Sequence, residues 1–285
     1  MPDVTDNDKE NLFKSAMQGG WKDVAETYAR HEKVRETKIT WGGDTLLHLA
    51  ASSSAENNVK LLMKCLIDAK DERYICQILE IQNERGDTAL HIAAALGMEG
   101  VCLAMASLNP RMVVDNLNER KETPLFKAVR HGHKKAFFAL QSVVETHIEH
   151  PTLVRSEGGD TILHNAIFAE HFDLALEIIR CYPDTVNAMN EKGESPLHVL
   201  ANKPSAFRSG SHFNLLDSHG YRPWKVSLYV IWGVGEFGGF QAIPNQVHSA
   251  IYELASDGHP SIIMYRWTMS IERKFSMVLV MHCRV

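Results

Sequence analysis

The stretch Asn83–Gly97, NERGDTALHIAAALG, decides how the rest of the chain is read. Its first half is turn material. Gly86 can adopt positive φ, and Asn83 and Asp87 can bond to nearby backbone. Thr88 follows as a helix cap, its hydroxyl placed to accept an orphan N–H of the first turn. Leu90-His91-Ile92-Ala93-Ala94 then opens a short helix whose alanines permit close helix approach, and Gly97 closes it.

The same phrase recurs. WGGDTLLHLAAS starts at Trp41, NERKETPLFKAVRHG at Asn118, SEGGDTILHNAIFAE at Ser156 and NEKGESPLHVLANKP at Asn190. The shared hydroxyls, Thr45, Thr88, Thr123, Thr161 and Ser195, are separated by 43, 35, 38 and 34 residues. A period of 33 to 35 with loop insertions accounts for all four spacings, the surplus falling between Cys65 and Gln82 and around His147–Thr152. A sixth copy, NLFKSAMQGG from Asn11, lacks the leading turn. Pro124 and Pro196 stand just after their caps, where a missing N–H costs nothing. Longer apolar helices are predicted to follow, over Val59–Ile67, Val101–Leu108, Lys135–Thr146 and Phe172–Cys181. One such helix pair cannot bury its own apolar face, so the pairs must stack on their neighbours.

This phrase resembles the ankyrin repeat, T-P-L-H-x-A at a period of about 33. The resemblance spans residues 8 to 204, with repeats near 8–38, 41–82, 83–117, 118–155, 156–189 and 190–214. The expected fold is therefore an all-α ankyrin-repeat solenoid with β-turn fingers. Residues 215–231 read as a degenerate repeat or cap, from LLDSHGYRPWKVS. Residues 232–285 read as an irregular tail, partly helical, beginning in a glycine-rich linker. Gly233, Gly235, Gly238 and Gly239 lack the Gly-Lys-Ser/Thr that a phosphate loop needs.

Composition narrows the function. With 30 Lys+Arg against 35 Asp+Glu the formal charge is −5, which lacks the basic footprint of a general nucleic-acid binder. Cys65, Cys76, Cys102, Cys181 and Cys283 form no CxxC pair, which favours a reducing compartment over a disulfide scaffold. No run of 18 apolar residues is present, so no direct membrane span is expected in this chain. His48, His91, His164 and His198 share one slot of the repeat. Equivalent positions on stacked helices stand roughly 10 Å apart. Zinc needs ligands at about 2 Å, so these imidazoles are expected to tie turns together rather than bind metal. No nucleophile elbow and no H-E-x-x-H occurs. Neither an enzyme nor a cofactor is expected.

The remaining reading is a protein-binding scaffold, because a stack of such repeats offers an extended concave surface to a protein partner. The slot five residues after each repeat's Leu holds Met17, Ser52, Ala95, Arg130, Phe168 and Asn202. The turns add Arg85, Arg120, Lys121 and Lys192. Arg130 and Phe168 are the expected anchors, since arginine and aromatic residues dominate interface energetics. LHVLANKPSAFRSG, from Leu197, also resembles plant ankyrin proteins that carry a C-terminal multi-helix PGG membrane domain. That resemblance implies plant stress or defence signalling from the cytoplasm, or from the cytosolic face of the plasma membrane. It also implies an alternative, membrane-associated signalling or channel and transporter regulation through a transmembrane domain absent from this chain. The chain has no Pro-Gly-Gly triad.

Overall fold

The computed structural model describes residues 4–68, 71–147 and 155–203. They divide into two compact units between Asn165 and Ala166. The expected cap at 215–231 and tail at 232–285, with Cys283, lie outside the described residues, as does most of the surplus around 147–152.

The first unit is a succession of helix pairs. α1 (Asp6–Met17) pairs with α2 (Trp21–Arg30), which is followed by the short α3 (Glu32–Glu36). α4 (Leu46–Ser52) pairs with α5 (Glu56–Ile67), and α6 (Glu72–Leu79) follows. α7 (Ala89–Ala95) pairs with α8 (Glu99–Leu108), and a 3-10 turn, Pro110–Val113, follows. α9 (Pro124–Arg130) pairs with α10 (Lys134–His147), and α11 (Ile162–Phe168) begins the next copy. Each pair packs on its neighbours as well as within itself, α4 on α7, α7 on α9 and α8 on α10. The architecture is thus all-α and helix-paired, an ankyrin-type solenoid, and α5, α8 and α10 fall where the apolar spacing predicts them.

The packing follows the residue sizes. Ala50, Ala51, Ala93, Ala94 and Ala128 are wholly buried, so the inner helices approach without side chains to hold them apart. Leu62, Leu66, Met105, Phe137 and Leu140 fill the space behind them from the outer helices. Burial of each such side chain favours folding by about 1.5–3 kcal/mol.

Five inner helices, α1, α4, α7, α9 and α11, end in one way. The residue seven past the repeat's Leu is left-handed: Gly97 has φ +73, and Ser54, in the equivalent place, has φ +56. At α7 the turn closes with Met98 N–H donating to Ala93 C=O at 3.0 Å.

The surplus between Cys65 and Gln82 is not only loop, as the spacing suggested. It contains α6, whose Ile75, Ile78 and Leu79 are buried at helical spacing and which packs on α8. Asp71 caps it, accepting from Arg73 and Tyr74 N–H. Arg35 anchors it to the preceding repeat. That buried guanidinium lies 5.9 Å from the Tyr28 ring centroid and 5.8 Å from that of Tyr74, and donates to the C=O groups of Tyr28 and Ala29.

The second unit contains the end of α11, α12 (Phe172–Cys181), a 3-10 turn (Pro183–Asn187) and α13 (Pro196–Ala201). Leu174, Ala175, Leu176, Ile178 and Ile179 form the buried face of α12. The 3-10 turn packs against both α12 and α13. Pro110 and Pro183 each open their 3-10 turn, where proline's fixed φ suits the first position. Among the described residues no helix is long and apolar enough to cross a membrane.

Candidate functional site

The turns that precede the inner helices project as fingers, and in three of them the shape comes from asparagine. Asn83 Oδ1 accepts from the N–H groups of Arg85 and Asp87, both at 3.0 Å. Asn118 Oδ1 holds Arg120 and Glu122 in the same way, and Asn190 Oδ1 holds Lys192 and Glu194. A backbone pair closes the base, Asn83 N–H donating to Asp87 C=O at 3.0 Å. Four residues from Asn to the acid is the spacing this motif needs, and it is visible in NERGD, NERKE and NEKGE.

Within the first unit the fingers are joined through their main chains. Glu84 N–H donates to Gly42 C=O at 2.9 Å, Glu119 N–H to Arg85 C=O at 3.1 Å, and Glu157 N–H to Arg120 C=O at 2.9 Å. Side-chain bonds run parallel. Asn83 Nδ2 donates to Asp44 Oδ1 at 2.8 Å and Asn118 Nδ2 to Asp87 Oδ1 at 2.9 Å. Gly86 shows how close the approach is. A Cβ there would stand 2.7 Å from Glu119 N and 2.9 Å from Asn118 Cα.

The repeated histidines fasten fingers to helices. His91 Nδ1 accepts from Thr88 N–H at 3.0 Å, so that nitrogen is unprotonated and Nε2 carries the hydrogen. Nε2 donates to Glu122 C=O, in the next finger, at 3.1 Å. His48 repeats the arrangement with Thr45 N–H and Asp87 C=O. Burial holds both imidazoles below their ordinary pKa, and the carbonyl bonds offset only part of that. His164 and His198 hold Thr161 and Ser195 N–H likewise. Phe126 stands in this slot in α9. It fills the space, and its own N–H donates to Thr123 Oγ1.

Two buried carboxylates lie beneath the fingers. Lys127 Nζ is 3.3 Å from Asp87 Oδ1, and Arg130 Nη1 pairs with Glu122 Oε1. Both cations come from α9, so one inner helix neutralises the bases of two fingers. The expected anchor Arg130 thus has its guanidinium on the Glu122 carboxylate of its own repeat.

The other expected contact residues are distributed as follows. Arg85, Arg120 and Lys121 are exposed on adjacent fingers of the first unit. Lys121 holds the tip slot that Gly86 fills in the finger before, with φ +56. Met17 ends α1 and is 54% exposed, while Ala95 ends α7 half-buried. In the second unit Phe168 is 47% exposed, with Lys203 Nζ 5.8 Å from its ring centroid and donating to its C=O. Lys192 is exposed on that unit's finger. The sequence reading took Asn83 and Asp87 as turn residues, but missed that Asn83 and Asn118 join one finger to the next and that Asp87 and Glu122 are buried and paired with α9, although the Asn-to-acid spacing was there to signal it. It also passed over Trp41, which is 99% exposed. Among the described residues no group of three His, Cys, Asp or Glu side chains could hold a metal ion.

Stacked helix pairs with backbone-joined fingers define an ankyrin-type repeat array that displays side chains from a fixed frame. The chain is similar to the protein Accelerated Cell Death 6 of Arabidopsis thaliana, 26% identical over 137 residues, covering 45% of this chain and 20% of that protein. It is also similar to the nuclear factor NF-kappa-B p105 subunit of Gallus gallus, 30% identical over 82 residues, covering 25% of this chain and 8% of that protein. The chain therefore spans a fifth or less of the length of these relatives. Among solved structures it is similar to the ankyrin repeat domain of Bcl-3, with TM-score 0.47 and 24% identity over 56% of this chain and 67% of that one. No family model matches the chain.

Proposed function

We propose that this chain is a non-catalytic scaffold that binds a protein partner through its fingertips and the adjoining ends of its inner helices. The observation that carries this reading is the finger row of the first unit. Backbone bonds of 2.9–3.1 Å hold the tips in register while Arg85, Arg120 and Lys121 remain exposed. A preorganised row avoids the ordering cost that a loose loop incurs on binding. Exposed tip charges steer encounter and select partners by complementarity. In the second unit, Phe168 and Lys192 are the contact residues we assign.

The setting we propose is plant stress or defence signalling. It is supported by the similarity to Accelerated Cell Death 6 of Arabidopsis thaliana over 45% of this chain. A reducing, cytoplasmic location is supported by Cys65, Cys76 and Cys102 standing as thiols.

The test is affinity capture from leaf extract on the immobilised chain, comparing wild type with Arg120→Glu/Lys121→Glu. The double variant is expected to keep its unfolding temperature, since neither side chain holds the fingers, and to lose specific bands that wild type retains. A wild-type chain that retains no protein above background would overturn the proposal.

A further inference from the structure

Four of the five fingers carry glutamate in one tip slot: Glu84, Glu119, Glu157 and Glu191. The remaining finger carries Trp41 there, 99% exposed. In the first unit, the slot's backbone N–H donates to the neighbouring finger in three of its copies, Glu84, Glu119 and Glu157. Among the described residues Trp41 N–H makes no such bond, and α1 to α3, which precede it, carry no finger. Gly42 and Gly43 follow it.

An unpaired N–H at the end of a hydrogen-bonded row can donate to one more backbone carbonyl, as the edge of a sheet does. An indole beside it adds a large apolar surface where the other fingers carry a solvated charge. We propose that Trp41 is the docking point for an extended, uncharged segment of a partner protein. The segment supplies a backbone C=O to Trp41 N–H and packs an apolar side chain on the indole. It occupies the place of a preceding finger, continuing the bond already made three times inside the unit. Main-chain pairing gives such a segment affinity, and the side-chain contact gives it specificity. This inference rests on the scaffold reading above and names the chemistry of the partner at one end of the row.

The experiment uses the full chain and an array of immobilised synthetic 12-residue peptides of acidic, basic and apolar, β-prone composition. The variants are Trp41→Glu, which restores the residue of the other fingers, Trp41→Ser as a second replacement, and Arg120→Glu/Lys121→Glu. Thermal unfolding confirms that each is folded. Apolar β-prone peptides are expected to bind wild type and to bind both Trp41 variants about tenfold or more weakly. Equal binding by wild type and both Trp41 variants overturns the inference. Retention of charged peptides alone, lost in the Arg120/Lys121 variant, overturns it while upholding the scaffold reading. Retention of no peptide overturns both. A Trp41-dependent dimer in sedimentation overturns it too, since a second copy would then cover the edge.

Discussion

His91 Nε2 donates to the backbone C=O of Glu122, thirty-one residues further along, at 3.1 Å. The bond crosses from an inner helix to the next finger and requires a neutral imidazole, because Nδ1 is already occupied by Thr88 N–H.

Stability should therefore fall in mild acid. The folded-state pKa of His91 is lowered from 6.5 to about 4, with burial the largest cause, and that of His48 is lowered for the same reason. Above pH 6.5 both states are neutral and nothing is lost. Below it the unfolded chain takes up protons that the folded chain refuses, so stability declines as pH falls from 6.5 towards 4. At about 1.4 kcal/mol per pKa unit, His91 alone accounts for roughly 2 kcal/mol by pH 5. Urea unfolding at pH 7.5 and pH 5 measures this, and His91→Phe should reduce the pH dependence while lowering stability at pH 7.5. An unchanged midpoint between the two pH values would remove the argument.

Arg130→Ala should destabilise the fold by about 1–3 kcal/mol, between the values for an exposed pair and for a fully buried one because the arginine is partly exposed. Glu122 would keep its buried carboxylate without that guanidinium. A lost interaction in this variant thus reports on folding as well as contact, and thermal unfolding must accompany any binding assay. Arg130→Ala melting with wild type would show the pair to be inconsequential.

Ser54→Gly should stabilise the chain by about 0.5–1 kcal/mol, since Ser54 holds a left-handed conformation that glycine adopts without a Cβ penalty. Differential scanning calorimetry should show a higher Tm. A drop in Tm would mean that the Ser54 side chain contributes more than its backbone costs.

Gly86→Ala should lower stability by about 2–4 kcal/mol. Positive φ is strained for alanine, and the new methyl would meet the Asn118–Glu119 backbone. Hydrogen exchange at Glu119 N–H should quicken as the two fingers part. Unchanged protection there would contradict the tight approach.

What could be read from residues alone was what depends on near neighbours. Thr88 before Leu90, Pro124 after Thr123 and Leu174, Leu176, Ile178 and Ile179 in α12 each specify a cap or a buried face within a few residues. The helix over Glu72–Leu79 was missed because that insertion has no counterpart to align with. Its apolar spacing is plain only once Ile75, Ile78 and Leu79 are seen against α8. The pairing of Arg130 with Glu122 was hidden for another reason. Eight residues separate them, and only the finger's return over its own helix brings them together. Of the candidate site, the exposure of Arg85, Arg120 and Lys121 followed from their place in a turn. The open edge at Trp41 did not, because it depends on the bonds made by the other fingers.

The finger joints have one more consequence. They are made by peptide groups and by Asn83 and Asn118, so residues 84, 85, 119 and 120 can change identity without loosening the frame beneath them. A library randomised at those four positions should stay folded in most members while its targets diverge, so that recognition in this array can drift independently of its stability.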